Sequence, residues 1–323
     1  MIYRMLTEKQ PKRKCFIGGF RSGIFMGRYD HQDKIIKRTK MNILTFDIED
    51  WWAYDYYSIG RKEDYLPRLN QYLYRILDLL DEKNIQATFF CLGKVAEEYP
   101  EIIKSIAKRG HQIGCHSYSH RFWGGANPKE VAEDTRKALD AIENLIGEKV
   151  TAYRAPAFSI MEHNKWIFEI LAENGITSDC SIFPANRSFG GFPEFQYKVP
   201  VMINYQGCQL KEFPLSTTTI LGKSICYSGG GYFRLFPYWK IKSIIRKNEY
   251  VMTYFHIKDF DKEQEKKYQG LNGESAANRF VKNYYGLNHS FRKFSHLISD
   301  FNFMSVQQAE STINWEERPI VHL

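Results

Sequence analysis

The sequence contains no run of about 18 consecutive apolar residues, the length that a helix needs to cross a bilayer. We therefore expect no transmembrane segment. The sequence also lacks any Cys-x-x-Cys pair, because its six cysteines are scattered along 323 residues, several of them within apolar stretches. Isolated cysteines of this kind are typical of buried free thiols and not of a disulfide framework, which favours a reducing, cytoplasmic location.

Most of the chain has no excess of either charge. The net charge is +8, and residues 1–40 alone hold 11 basic and 3 acidic side chains, so the remaining residues are neutral overall. A neutral body argues against nucleic acid as a partner. The basic segment lacks the continuous apolar stretch of a signal peptide. We interpret it as a disordered leader, or as sequence upstream of a start at Met41, with possible peripheral contact to an anionic membrane surface.

From residue 41 onward, segments with strand and helix patterns alternate. The clearest helix start is Asn127-Pro128-Lys129-Glu130, which combines an N-cap asparagine, a first-turn proline and a glutamate at the third position. Alternation of this kind predicts parallel βαβ units, enough of them for a closed or nearly closed barrel. The predicted strands are 43–46, 87–92, 112–115, 152–153, 177–181 and 250–255, and the predicted helices are 66–83, 100–108, 127–147 and 165–173.

Polar side chains follow the predicted strands where each strand ends. Asp47, Glu49 and Asp50 follow the first strand, and His116 and His120 follow the third. Three neighbouring carboxylates repel one another unless a cation lies nearby, and two histidines four residues apart can reach one ion. In parallel barrels the chemistry lies at this end of the strands. The pattern therefore predicts a metal site with two nitrogen ligands and one oxygen ligand.

The order of these motifs resembles the polysaccharide deacetylases of the NodB-homology group, carbohydrate esterase family 4, over residues 41–310. The opening Asp-x-Glu-Asp-Trp pattern and the segment Gly229–Arg234 are similar to a subgroup found with exopolysaccharide and lipopolysaccharide gene clusters. The resemblance implies an α/β fold, a distorted (β/α) barrel, and a divalent metal, usually zinc. The motifs that carry it are Thr45-Phe46-Asp47, His116-Ser117-Tyr118-Ser119-His120, Arg154-Ala155-Pro156, Asp179-Cys180-Ser181 and His256.

The resemblance also implies a catalytic role for four of these residues. Asp47 would be the general base, which takes the proton of the attacking water, and Arg154 would orient it. His256 would be the general acid, which protonates the leaving nitrogen. Asp179 would pair with His256 and keep its imidazole charged and oriented.

The metal ligands implied by the resemblance are His116, His120 and one carboxylate. The family usually has two consecutive aspartates, a base and then a ligand, but Ile48 follows Asp47 here. The third ligand is therefore either Glu49 or Asp50, and we prefer Glu49 because the motif then needs no gap.

Four aromatic residues lie beside the motifs and are candidates for stacking on sugar rings. They are Trp51, Trp52, Trp123 and Tyr153, and Pro156 completes this predicted substrate-binding set. Packing in the core of the barrel is the alternative interpretation for about half of them.

The predicted domain organisation is a tail at 1–40, a deacetylase barrel at 41–310 and a short C-terminal segment at 311–323. A loop and strand insertion at about 183–249 is expected at the barrel mouth, where it would select the substrate. Its triple glycine, Gly229 to Gly231, lacks the Gly-Lys-Ser/Thr of a phosphate-binding loop, and we expect a flexible loop there.

These observations predict a metal-dependent N-deacetylase for an N-acetylated sugar in a bacterial surface polysaccharide or its precursor. Two alternatives stay open. The same barrel could hydrolyse a cyclic amide or another C–N bond, or it could bind a glycan without catalysis. Acetate release, measured with and without a chelator, distinguishes the three.

Overall fold

The computed structural model describes residues 40–49, 66–187, 190–220, 222–264, 266 and 275–323. The predictions made for the tail before residue 40 and for Asp50, Trp51 and Trp52 lie outside the described residues.

Short strands with buried side chains make up the centre of the fold. The described residues form thirteen of them: β1 (Met41–Ile43), β2 (Thr45–Ile48), β3 (Thr88–Cys91), β4 (Gln112–Cys115), β5 (Ala152–Tyr153), β6 (Ser178–Asp179), β7 (Val201–Tyr205), β8 (Cys208–Glu212), β9 (Thr218–Ile220), β10 (Lys223–Ile225), β11 (Tyr250–Met252), β12 (Phe255–His256) and β13 (Ile320–His322).

Nine strands form one sheet in the order β12-β2-β3-β4-β5-β6-β8-β7-β13. Every neighbouring pair is parallel except β7 and β8, which form an antiparallel pair. β1 and β11 pair in parallel immediately upstream of β2 and β12, and β9 and β10 form a separate antiparallel pair. The parallel α/β architecture is confirmed. Among the described residues the pairing ends at β12 and β13, which do not pair with each other.

Helices connect the parallel strands and cover the sheet. None of those formed by the described residues is long and apolar enough to cross a bilayer. They are α1 (Leu66–Glu82), α2 (Gly93–Glu98), α3 (Pro100–Lys108), α4 (Pro128–Ile146), α5 (Ile167–Glu173), α6 (Gly230–Leu235), α7 (Tyr238–Lys247), α8 (Ala276–Tyr284), α9 (Leu287–Asp300) and α10 (Val306–Thr312).

The ends of α4 follow from local chemistry, as the sequence predicts. The Asn127 side chain accepts a hydrogen bond from the Glu130 amide at 3.1 Å, and the Glu130 carboxylate accepts one from the Asn127 amide at 3.0 Å. Gly147 ends the helix in the left-handed region, at φ 74°, where a side chain would be strained. Reciprocal caps of this kind stabilise a helix by about 0.5–2 kcal/mol.

The core beneath the sheet is aromatic around β2. The Phe46 ring stacks on the Phe89 ring, with centroids 4.8 Å apart, and Phe255 and Phe294 pack against the same ring. Complete burial of each such side chain contributes about 1.5–3 kcal/mol. This packing fixes β2 between β3 and β12, and so fixes the two strand ends that carry Asp47 and His256.

The region 183–249 differs from the expected insertion. Its strands β7 and β8 belong to the main sheet. The triple glycine is not a flexible loop, because Gly230 begins α6. A Cβ on Gly229 would lie 1.7 Å from the Tyr254 carbonyl oxygen, and one on Gly231 would lie 2.7 Å from the Lys282 carbonyl oxygen. The glycines therefore allow close packing of backbone against backbone.

Candidate active site

Three potential metal ligands meet at the ends of β2 and β4. Glu49 Oε2 lies 3.1 Å from His116 Nε2 and 2.5 Å from His120 Nε2, and all three residues are buried. One ligand atom from each residue lies within 4.8 Å of the others. Of the two carboxylates proposed for the third position, Glu49 has this geometry, and Asp50 lies outside the described residues.

The turn that carries the two histidines is strained. Ser117 and His120 have φ angles of 67° and 59°, in the left-handed region that few residues other than glycine adopt. The Ser117 hydroxyl accepts a hydrogen bond from the His120 amide at 3.0 Å. The Asp134 carboxylate of α4 holds the Tyr118 amide at 2.7 Å and the Ser119 hydroxyl at 2.9 Å. These contacts stabilise a backbone conformation of the kind that is concentrated at functional sites.

The donor set fits a divalent transition metal. His116 Nδ1 donates to the Arg154 carbonyl oxygen at 2.7 Å, which leaves the Nε2 lone pair facing Glu49. Burial lowers the pKa of His120, so its imidazole is favoured in the neutral form that binds metals. Burial disfavours the Glu49 carboxylate, but the positive charges of His256 and Lys258 hold the pKa of Glu49 well below its ordinary value. Two neutral imidazoles and one carboxylate are a common zinc ligand set.

Asp47 lies next to this cluster and is held by a buried arginine. The Asp47 Oδ1 atom accepts a hydrogen bond from an Arg154 guanidinium nitrogen at 2.7 Å. The same nitrogen donates to the Thr45 hydroxyl at 2.8 Å, and Arg154 Nε donates to the Cys180 carbonyl oxygen at 3.3 Å. Arg154 is completely buried. The contact predicted between Arg154 and Asp47 is therefore made, and Asp47 Oδ2 points away from it.

His256 faces the same space from the end of β12. Its Nε2 lies 3.1 Å from Glu49 Oε1 and 3.9 Å from Asp47 Oδ2. Its Nδ1 lies 3.2 Å from Asp259 Oδ2. Burial favours the neutral ring, but the charge of Glu49 and the bond to Asp259 raise the pKa of His256 to about 9.

The expected pairing of Asp179 with His256 is wrong, because Asp259 is the residue that holds the ring. Asp179 is buried in β6, where it accepts hydrogen bonds from the Ser181 hydroxyl at 2.6 Å and the Ser181 amide at 3.2 Å. Its neighbour in register on β8 is Glu212. Burial, together with the charge of Asp179, raises the pKa of Glu212 well above its ordinary value. The raised pKa favours a protonated Glu212, and Asp179 is engaged by Ser181 and Glu212, away from His256.

Arg234 extends the contacts of Asp259. It forms a buried ion pair with Asp259, and its other nitrogens donate to the Lys282, Asn283 and Tyr285 carbonyl oxygens. Sequence reasoning did not identify this pair. A carboxylate three residues after the histidine, in His256-Ile257-Lys258-Asp259, was the available signal, since short helical turns bring such positions together.

Lys258 is a third site residue that sequence reasoning missed. Its Nζ lies 3.3 Å from Glu49 Oε1, and its side chain is partly exposed. A single lysine beside a histidine carries no recognisable pattern, so the sequence offers no signal for it.

Two of the predicted sugar-stacking residues belong to the core. Trp123 and Tyr153 are completely buried, and the Trp123 indole donates to the Tyr153 hydroxyl at 3.0 Å. Pro156 is also buried, in the turn after Arg154. The prediction is corrected for Trp123 and Tyr153, because a ring without exposed surface cannot stack on a sugar. Phe122 is half-buried, and its ring lies 5.8 Å from the His120 ring at the edge of the site.

Comparison with known proteins gives two family matches. Residues 34–178 match the family model described as polysaccharide deacetylase, and residues 180–310 match a domain of unknown function, DUF3473. The first match contains Asp47, Glu49, His116, His120 and Arg154. His256 and Asp259 lie in the second.

Curated relatives match over short stretches of the chain. A peptidoglycan-N-acetylglucosamine deacetylase of Bacillus cereus is 40% identical over 96 residues, which are 29% of this chain and 35% of that protein. A peptidoglycan deacetylase of Helicobacter pylori is 31% identical over 108 residues, 33% of this chain and 36% of that protein. The aligned parts thus span about a third of the length of these relatives.

The fold is shared with a solved structure. A Mycobacterium smegmatis protein assigned to the polysaccharide deacetylases superposes with a TM-score of 0.61 at 19% identity, over 88% of this chain and 93% of that one. The fold likeness covers more of the chain than the alignments with the curated relatives do. Over residues 34–178, this chain is thus similar to the polysaccharide deacetylases, the NodB-homology proteins of carbohydrate esterase family 4.

Proposed function

We propose that this protein is a metal-dependent hydrolase that removes the acetyl group from an N-acetylated sugar. The observation that carries the proposal is the close approach of three kinds of group. They are the ligand cluster, a carboxylate held by an arginine and a histidine held by a carboxylate. Asp47 Oδ2 and His256 Nε2 lie 3.9 Å apart. Hydrolysis of an amide requires a base for water and an acid for the leaving nitrogen, and these two atoms are placed to supply them.

Glu49, His116 and His120 would hold a divalent metal, with zinc as the ion that the donor set favours. When bound there, such an ion lowers the pKa of a coordinated water to about 7 and polarises the acetyl oxygen.

Asp47 serves as the general base. Arg154 occupies its Oδ1 atom and fixes the plane of the carboxylate, so Oδ2 remains to accept the proton from the attacking water. The water oxygen then forms its bond to the acetyl carbon. Because Arg154 is anchored by Thr45 and the Cys180 carbonyl oxygen, Asp47 keeps this orientation before the substrate arrives.

His256 serves as the general acid. Asp259 holds its Nδ1, and the same carboxylate oxygen accepts a hydrogen bond from the His256 amide at 2.9 Å. The ring therefore presents Nε2 to the reacting bond. As the carbon–nitrogen bond breaks, Nε2 gives its proton to the leaving nitrogen, which departs as an amine while the acyl part leaves as acetate.

The substrate we propose is a sugar of a bacterial surface polysaccharide or its precursor, modified in the cytoplasm. The sequence similarity to the subgroup of exopolysaccharide loci supports the substrate class. The compartment is supported by Cys91 and Cys115, which are neighbours in register on β3 and β4 and are both free thiols.

The test of the proposed function is acetate release from N-acetylated glycans, with peptidoglycan fragments, chitooligosaccharides and isolated exopolysaccharide as substrates. We expect release that a chelator abolishes and added zinc restores. Binding of these glycans without acetate release would contradict the proposal and would favour a glycan-binding role.

Metal content tests the ligand cluster separately from activity. We expect the purified protein to hold about one equivalent of a divalent metal. The His116→Ala and Glu49→Ala variants should hold far less, because each lacks one of the three protein ligands. Elemental analysis by mass spectrometry measures this. His289→Ala, which removes an exposed histidine, and Asp50→Ala are the controls and should retain the ion. Full metal content in His116→Ala, or loss in Asp50→Ala, would contradict the assigned ligands.

A further inference from the structure

Exposed apolar side chains are concentrated in α6, in α7 and at the end of α8. Of the nine large apolar side chains that are most exposed among the described residues, five lie between positions 232 and 285. Trp239 is the most exposed of them, at 71%. Single exposed apolar residues are ordinary, but a cluster marks an interaction surface. The five are Tyr232, Leu235, Trp239, Val281 and Tyr285.

These side chains belong to elements that contact one another. The α6 helix packs on the end of α8, where Gly231 approaches the Lys282 carbonyl oxygen and Arg234 binds the Tyr285 carbonyl oxygen at 3.2 Å. The Tyr232 ring of α6 stacks on the ring of Phe236, which lies between α6 and α7, with ring centroids 5.9 Å apart. The ammonium of Lys240 lies 5.1 Å from the centre of the Phe236 ring. The five apolar residues and the basic residues of α7 are called the aromatic–basic face below.

The charge on this face has one sign. The α7 helix contributes four lysines and arginines to it and contains no aspartate or glutamate. On α7, Trp239 and the exposed Arg246 and Lys247 are seven and eight residues apart, so they share the solvent-facing stripe. Ile241 and Ile245 face the core on the opposite side. Among these basic residues Lys242 is neutralised by Asp300, at 2.6 Å.

We propose that the aromatic–basic face docks on the surface of an anionic lipid bilayer. Tryptophan and tyrosine favour the interface between lipid and water, because their rings are apolar and their N–H or O–H groups remain hydrated. Lysine and arginine beside them attract anionic headgroups. A nucleic acid would match the charge but not the exposed Leu235 and Val281, and a second copy of the chain would match the apolar groups but place like charges together.

The face also has a defined relation to the candidate active site. Tyr232 and Leu235 lie on the outer side of α6, while Arg234 on its inner side binds Asp259. The chain enters the described fold beside α7, because the Met41 amide donates to the Glu249 carbonyl oxygen at 2.8 Å and Lys40 contacts the Arg246 carbonyl oxygen.

The experiment is cosedimentation of the full-length protein with vesicles of phosphatidylcholine alone or with 30% phosphatidylglycerol, at low and high salt. We expect binding only to the anionic vesicles, and weaker binding at high salt. Leu235→Ser/Trp239→Ser and Arg246→Glu/Lys247→Glu should each weaken binding by at least about tenfold, given the contribution of each buried ring and each basic residue.

Two matched controls accompany these variants. Ile320→Ser removes an exposed apolar side chain from β13, which is the last strand of the main sheet and lies at the other end from β12. Lys129→Glu/Lys149→Glu replaces two exposed lysines outside this face by glutamates. Both should bind vesicles like the unmodified protein. Equal binding by all variants would overturn the proposal and assign the lipid contact to another segment, such as the tail. Absence of vesicle binding would also overturn the proposal. This holds whether the protein binds nucleic acid instead or forms a dimer that the Trp239 variant dissociates. Vesicle binding needs no catalysis, so this outcome is independent of the proposed function.

Discussion

Replacement of Asp47 by asparagine is expected to lower the turnover number for acetate release by about 10²–10⁴-fold, the usual contribution of a general base. Asparagine keeps the size of the side chain and an oxygen that can accept the hydrogen bond from Arg154. It cannot take a proton from water. The buried guanidinium keeps its bonds to Thr45 and to the Cys180 carbonyl oxygen, so we expect the variant to fold.

The kinetic constants and the metal content of the Asp47→Asn variant are measured together. We expect the Michaelis constant and the bound metal to change little, because the ligands Glu49, His116 and His120 are intact. Glu310→Gln is the matched control, since it also removes one carboxylate from an ion pair, with Lys211, but on another part of the fold. Substantial turnover by a metal-loaded Asp47→Asn protein would show that another group accepts the proton.

Replacement of His256 by alanine is expected to have the second large effect, and one that depends on the leaving group. An amide nitrogen must be protonated as it leaves, so loss of the acid should cost about 10²–10⁴-fold on an N-acetyl sugar. An activated acetate ester has a leaving group that needs no proton. We therefore expect a much smaller loss on the ester, measured with the same preparation.

Asp259→Asn tests the group that holds the histidine. Asparagine retains one hydrogen-bond acceptor but lacks the charge that favours the imidazolium, so we expect an intermediate loss with the same preference for the ester. Asp179→Asn, which changes the carboxyl that does not contact His256, should lack this preference. Equal losses of His256→Ala on amide and ester would remove His256 from the acid role and leave it as a packing or substrate contact.

The sequence was sufficient for those parts of the site that depend on local pattern. The capped helix at Asn127 and the strands that lead into Glu49 and His116 lie close to where periodicity and capping residues place them. The carboxyl ends of adjacent parallel strands meet at one edge of a sheet, so the approach of Glu49 to the two histidines also follows from the strand order.

The features that sequence reasoning missed depend on contacts between distant segments. Asp179 has a partner in Glu212, and no local pattern indicates that position 212 lies next to it in register. Because Asp179 contacts Glu212, the carboxylate beside the His256 ring is that of Asp259. Asp259 lies three residues after His256 and forms an ion pair with Arg234. The glycines before Arg234 similarly have a role only once Tyr254 and Lys282 pack against them.

The pairing of β2 with β12 has a consequence for how the chain folds. The Thr45 amide binds the Thr253 hydroxyl at 3.1 Å, across 208 residues of sequence. At a synthesis rate of about 5–20 residues per second, that interval takes roughly 10–40 s on the ribosome. Throughout it, β2 can pair with β3 while its other edge, with its backbone amides and carbonyls, has no strand beside it. Unpaired edges promote association between chains, so we expect the nascent protein to depend on chaperones until β12 emerges and closes this edge.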